Sequence, residues 1–270
     1  GHLKVADPFT EKILHPEYDL DISSATYPGL KSYPFDKTTG TVSVFQTAQE
    51  IYPWQEFAFT PPAEEELVIY ELFIRDFVES RDIKSVTDTL DYLESLGINA
   101  IELLPVNEFQ GDLDFVWGYR PTFYFAMKKN YGRKQDLQHF VEECHKRGIA
   151  VIIDVVLNHA FEQSPLVQMY LDEKTGKIAS ENPWFNEECP HQPWCWGYDF
   201  DHESIETQKL VDRVNRFWLT EYNIDGFRFD FTKGFTNKIG DGSAYDASRI
   251  AILKRMTDSI RAVKENAVVI

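Results

Sequence analysis

The sequence predicts an α/β fold, a (β/α)8 barrel present in part, with strands one to five of the eight. Three observations carry this. From Leu67 onward, strand-like apolar runs alternate with segments whose apolar residues recur at three and four. Gly97, Gly148, Asn223 and Asn266 each stand just before such a run, where a left-handed helix cap needs Gly or Asn. The longest insertions follow the carboxyl ends of strands, where a barrel builds its site from long βα loops. A doubly wound sheet fits the alternation equally well. The insertions, and Arg75-Asp-Phe-Val after the first strand where a Gly-rich phosphate turn would stand, favour the barrel over a dinucleotide fold.

In chain order, residues 1–62 are rich in Pro, Tyr, Asp and Thr, with one alternating run over Thr41–Phe45, and predict a β-rich lead-in or linker. The strand runs are Leu67–Arg75, Ile98–Leu104, Ile149–Leu157, Ile224–Asp230 and Ala267–Ile270. Between them, amphipathic helices are marked by Val86/Leu90/Leu93, Leu137/Phe140/Val141/Cys144, Leu210/Val214/Phe217 and Leu253/Met256/Ile260/Val263. The chain thus divides into a lead-in (1–62), the first part of the barrel (63–157), an insertion (158–203) and a continuation (204–270) that ends at strand five.

Composition narrows the function. The 270 residues are 43% hydrophobic and 14% aromatic, which excludes disorder. A net charge of −17 repels phosphate backbones and anionic membranes, so neither nucleic acid nor a membrane is expected as partner. No apolar run approaches the ~20 residues of a membrane span, and no signal-peptide core is expected at the N-terminus; the compartment stays open. Cys144, Cys189 and Cys195 are too few for a disulfide framework. Cys189 and Cys195 flank His191 in a Trp/Pro-rich loop that could hold a local disulfide or a metal, but ordinary thiols are the expectation.

Two clusters carry chemistry. In Gly226-Phe-Arg-Phe-Asp230, strand alternation puts Arg228 and Asp230 on one face and the phenylalanines on the other. An arginine two residues away on the same face keeps a strand-end carboxylate ionised and oriented. Asp154-Val-Val-Leu-Asn158-His159 ends the preceding strand, with Asp154 and Asn158 sharing a face and His159 opening the long loop.

These two motifs, supported by Trp117-Gly-Tyr-Arg-Pro-Thr-Phe-Tyr124, Tyr131-Gly132, Gly97-Ile-Asn-Ala-Ile101 and Asp199-Phe-Asp-His202, resemble the α-amylase superfamily, glycoside hydrolase family 13, over residues 67–270. The resemblance implies a retaining α-glucan enzyme. Asp230 matches the nucleophile, Arg228 its orienting partner, His159 a residue that hydrogen-bonds the reacting sugar, and Tyr119 one that stacks beneath it. Asp154 resembles the motif's buried acid and is grouped here with the substrate site, as is Lys233, which matches a lysine on the aglycone side. The loop after His159 corresponds to the small inserted domain B. Its Trp184, Phe185, Trp194, Trp196 and Tyr198 are either sugar platforms or a private mini-core.

Asn158 and Asp199 match positions that hold calcium in many relatives, but Lys233-Gly234 stands where the pattern has Lys-His, so no cofactor is expected to be required, a structural calcium being the possible exception. Leu3–Phe9 resembles the tail of a β-sandwich module. The acid/base glutamate of the family follows strand five, beyond Ile270, so the chain by itself is expected to be inactive, with unpaired edges at strands one and five. The implied activity is α-glucan hydrolysis of the amylase, neopullulanase or pullulanase type. A glucan-branching transglycosylase uses the same nucleophile, and a non-catalytic glucan-binding relative is the reading from outside enzymes, which retention of Asp230, Arg228 and His159 disfavours.

Overall fold

The structure, a computed structural model, describes residues 3–172 and 174–270. Its centre is a five-stranded parallel sheet: β1 (Ile69–Leu72), β2 (Ala100–Leu103), β3 (Ala150–Val155), β4 (Gly226–Phe229) and β5 (Val268–Val269), in the spatial order β5-β4-β3-β2-β1. Each strand lies within its predicted run. β3 is buried along its whole length, as a strand covered on both faces must be. Arg228 of β4 stands opposite Asp154 of β3.

Besides two single turns, Ile74–Phe77 and Pro165–Gln168, the helices among the described residues are α1 (Ile83–Thr87), α2 (Leu90–Ser95), α3 (Lys134–Lys146), α4 (Ile205–Glu221) and α5 (Ala247–Val263). Where periodicity predicts one helix through Val86, Leu90 and Leu93, the chain makes two. The Thr87 and Thr89 hydroxyls donate to the carbonyls of Ile83 and Val86, 2.9 and 2.7 Å away, and this local bonding competes with continuation of the helix. Gly97, Gly148 and Asn223 take the left-handed conformation expected of them; Asn266 does not. There the helix ends at extended Lys264, and Ala267 N–H turns back onto the Lys264 carbonyl at 3.0 Å.

The loop after β2 contains a buried antiparallel pair, Asn107–Phe109 with Pro121–Met127, that the sequence reading does not anticipate. The insertion after β3 is built from two-residue antiparallel pairs, His159–Ala160 with Tyr198–Asp199 and Leu171–Asp172 with Lys177–Ile178. Contrary to the expectation of free thiols, Cys189 and Cys195 form a disulfide; six residues apart, their Cα atoms are 6.0 Å from each other, within the usual span. Cys144 is free and buried.

The lead-in is less regular than its composition suggests. Ile13–Leu14 paired with Val42–Ser43 is its only strand pairing among the described residues. Its first part is nonetheless docked on the body that carries the parallel sheet. Asp19 meets the buried Lys129 at 3.1 Å, Glu11 meets Lys134 at 2.9 Å, and the Phe9 ring lies 5.5 Å from Phe125. No helix among the described residues is long and apolar enough to cross a membrane.

β5 approaches β4 so closely that a Cβ on Gly226 would sit 2.1 Å from the Val268 carbonyl oxygen, a backbone atom that cannot move aside without unpairing the strands. Gly226→Ala is therefore expected to cost about 3 kcal/mol or more, whereas Gly40→Ala, which meets open space, should leave stability nearly unchanged. Urea unfolding of the two variants against the parent chain measures the difference.

Candidate active site

The carboxyl ends of β3 and β4 lie side by side, and their alternation turns Asp154, Arg228 and Asp230 to one face. Arg228 Nη1 donates to Asp154 Oδ1 and Oδ2 at 3.2 and 3.0 Å and to Asp230 Oδ1 at 2.9 Å. Tyr119, from the loop after β2, donates its hydroxyl to Asp154 Oδ2 at 2.7 Å. Asp154 is 1% exposed, and burial pushes its carboxyl up to about 7 despite the opposing pull of Tyr119 and Arg228. Two carboxylates around one guanidinium in turn hold Arg228 firmly protonated, above its ordinary value. Asp230 keeps a partly open side chain, and among the described residues its second oxygen accepts no hydrogen bond.

His159 is 3% exposed. Its Nε2 is 3.0 Å from the Tyr119 carbonyl, which can only accept, so Nε2 carries the proton and Nδ1 keeps a lone pair. That Nδ1 is buried with no partner. Burial also lowers the ring's basicity, favouring the neutral form in which this lone pair exists.

Phe115, Val116, Trp117, Tyr119, Arg120, His159, Phe161, Trp196 and Asp230 line one cleft of about 490 Å³. Asp230 is its one carboxylate among the described residues. The structure thus brings together Asp230, Arg228, Tyr119, His159 and Asp154, with a correction for the last: Asp154 lies beneath the cleft, its oxygens taken by Tyr119 and Arg228, and acts on Asp230 through Arg228 rather than facing a ligand. Lys233 stands apart, exposed on a short turn (Thr232–Gly234) and outside the lining. Phe115, Val116, Arg120 and Phe161 were not singled out from sequence. Phe115, 82% exposed in the loop after β2, is the kind of apolar side chain whose exposure marks a site, but exposure is invisible in a sequence.

The candidate calcium ligands are also close to one another. Asn158 is buried against Gly234 with its Oδ1 unpartnered, and Asp199, with its carboxyl pushed up to about 7 by burial, accepts from Asn186 at 2.8 Å. An imidazole stands beside Asp199. His191, 1% exposed, lies beside the Gly234 backbone with Nε2 3.6 Å from Asp199 Oδ1. Calcium takes six to eight oxygen ligands. Asp199 Oδ2 is already committed to Asn186, and the His191 nitrogen beside Asp199 Oδ1 is a poorer calcium donor than oxygen.

Phe231, the residue after Asp230, has φ +43°, in the left-handed region that a bulky side chain rarely enters. Its ring stands edge-on to Trp196, 5.1 Å between centroids at 87°.

The family model described as "Alpha amylase, catalytic domain" matches residues 50–206. Malto-oligosyltrehalose trehalohydrolase of Saccharolobus solfataricus is 34% identical over 180 residues, covering 66% of this chain and 30% of the relative. The 1,4-alpha-glucan branching enzyme of Oceanobacillus iheyensis is 30% identical over 229 residues, covering 74% and 33%. Among solved structures, type I pullulanase of Bacillus subtilis, complexed with maltose, superposes with a TM-score of 0.64 at 27% identity, covering 84% of this chain and 34% of the pullulanase. The chain spans about a third of the length of the curated relatives it matches.

The raised Asp154 carboxyl fixes the sign of a pH effect. The folded chain holds this proton more tightly than the unfolded chain, so the contribution to stability is full below pH 4 and is lost as the pH rises toward 7. Asp154→Asn does not titrate and is expected to gain on the parent chain between pH 4 and 7; guanidinium unfolding of both proteins at the two pH values measures it.

Proposed function

This chain belongs to the alpha-amylase catalytic-domain family, and on that premise we propose that it carries the nucleophile side of a retaining α-glucan glycoside hydrolase, of the amylase, neopullulanase or pullulanase type. One observation carries the reading. Asp230 opens onto an aromatic-walled cleft with one oxygen fixed by Arg228 and the other free, while Asp154, itself held by the Tyr119 hydroxyl, bonds Arg228. The aromatic walls suit the C–H faces of pyranose rings. His159 lines the same cleft, held by the Tyr119 carbonyl at its Nε2, and Tyr119 lines it too, its hydroxyl already engaged by Asp154.

In this reading Asp230 attacks the anomeric carbon, the glycosidic C–O bond breaks, and a glycosyl ester forms on the carboxylate. Arg228 keeps Asp230 aimed. The departing oxygen needs a proton, and a retaining pair places the second carboxyl ~5–5.5 Å from the nucleophile. In the described cleft lining Asp230 is the one carboxylate. Hydrolysis or transfer is then decided by what attacks the ester, water or a second sugar. Relatives named for both outcomes support the shared first step.

The nucleophile can be tested without the acid. Fluoride leaves a sugar with little help from a proton donor, so a 5-fluoro-α-glucosyl fluoride is expected to label this chain slowly and once, on the peptide containing Asp230. Asp230→Asn should abolish the label with no change in circular dichroism. Maltooligosaccharides, whose leaving oxygen must be protonated, need a second carboxyl group besides Asp230 for turnover. Labelling on another residue, or inverted first product from the natural enzyme that contains this sequence, would sink the mechanism.

The crowded donor set around Asp199 supports weak calcium dependence. Removing calcium with a chelator is expected to move the melting temperature by less than about 3 °C, the scale of a change under 1 kcal/mol. A drop of ten degrees or more in differential scanning calorimetry would contradict it.

A further inference from the structure

The disulfide loop lies next to the cleft, and the chain holds its last residues unusually tightly. Cys189 and Cys195 close the loop; within it, Trp194 N–H donates to the His191 carbonyl at 2.8 Å. The Pro190 carbonyl accepts from Gly240 N–H at 3.0 Å, which ties the loop to the segment following Asp230. Immediately after the loop comes Trp196, then Gly197 at φ +54°, where a Cβ would lie 2.3 Å from the Ala160 carbonyl oxygen. Trp196 is therefore fixed from three sides: covalently by Cys195 before it, by the glycine seat after it, and by the Phe231 edge against its ring.

What this anchoring presents is an indole that remains 44% exposed in the cleft lined by Asp230, Tyr119 and His159. A large apolar surface held rigid yet uncovered contributes little to folding, and it suits a ligand with an apolar face. Trp194, in the same loop and similarly exposed, lies outside the cleft lining, its ring centroid 6.1 Å from that of Trp196.

We propose that Trp196 is a stacking platform for a pyranose ring bound beside Asp230, and that the Cys189–Cys195 cross-link is a positioning element acting through it. This rests on the α-glucan reading of the cleft and deepens it. Fixing the indole before the sugar arrives removes the cost of ordering it on binding, so the cross-link raises affinity without touching ligand.

Isothermal titration of this chain with maltohexaose, with cellohexaose as the β-linked control, tests the proposal. Trp196→Ala is expected to weaken maltohexaose binding about tenfold, about 1.4 kcal/mol, Trp196→Phe to restore most of it, and Trp194→Ala to change it by less than about twofold. The double replacement Cys189→Ser/Cys195→Ser should weaken binding about threefold to tenfold in the parent chain and leave it unchanged in the Trp196→Ala background. That non-additivity separates positioning from general loosening, which would lower affinity in both backgrounds. Parent-like affinity in Trp196→Ala, or an equal loss from the serine pair in both backgrounds, overturns the proposal while leaving the α-glucan reading intact. If the parent chain binds cellohexaose but not maltohexaose, or neither, the α-glucan reading fails and the proposal with it.

Discussion

Arg228 is the constraint on which the site depends. It stands on β4 opposite Asp154 on β3, and one guanidinium nitrogen bonds both that buried carboxylate and Asp230 at the strand end. An unpaired charge at Asp154 would be costly, so the strands keep the register that pairs it. A one-residue slip of β4 would turn Arg228 to the other face and leave Asp154 uncompensated. The interaction that solves a burial problem therefore also aims the carboxylate open to the cleft. Tyr119 extends the same arrangement to the loop after β2, so three segments distant in sequence are fixed around one carboxyl group.

The features readable from sequence are those with a short period. Strand alternation alone put Arg228 and Asp230 on one face, and the apolar runs contain all five observed strands. Features that depend on distant partners were not readable. The Asn107–Phe109 pairing with Pro121–Met127 is buried on both sides and shows no alternation. The Cys189–Cys195 bond needs a loop conformation that spacing does not reveal, and the His191 ring beside Asp199 follows from that conformation. The break between α1 and α2 lies in threonine hydroxyls that a helical pattern tolerates on paper.

Asp154 shows how burial changes a residue's part. As a motif acid near the nucleophile it was grouped with the residues that meet substrate, yet it is shut off from the cleft by the two groups that bond it. Lys233 shows the converse. It follows the nucleophile strand closely in sequence, but the left-handed turn at Phe231 sends the chain away, and Lys233 comes out on the surface.

That turn at Phe231 sets evolution and engineering a choice. A left-handed backbone is eased by glycine or asparagine, and such a change would by itself favour the folded chain. The phenylalanine is kept in a conformation costing of order 1 kcal/mol or more while its ring stands behind Trp196 and against Gly234. Selection for heat resistance alone would push toward the small residue at this position, and selection for sugar recognition toward the ring. The two pressures meet on a single codon, so variants selected for heat tolerance are where loss of recognition would first surface.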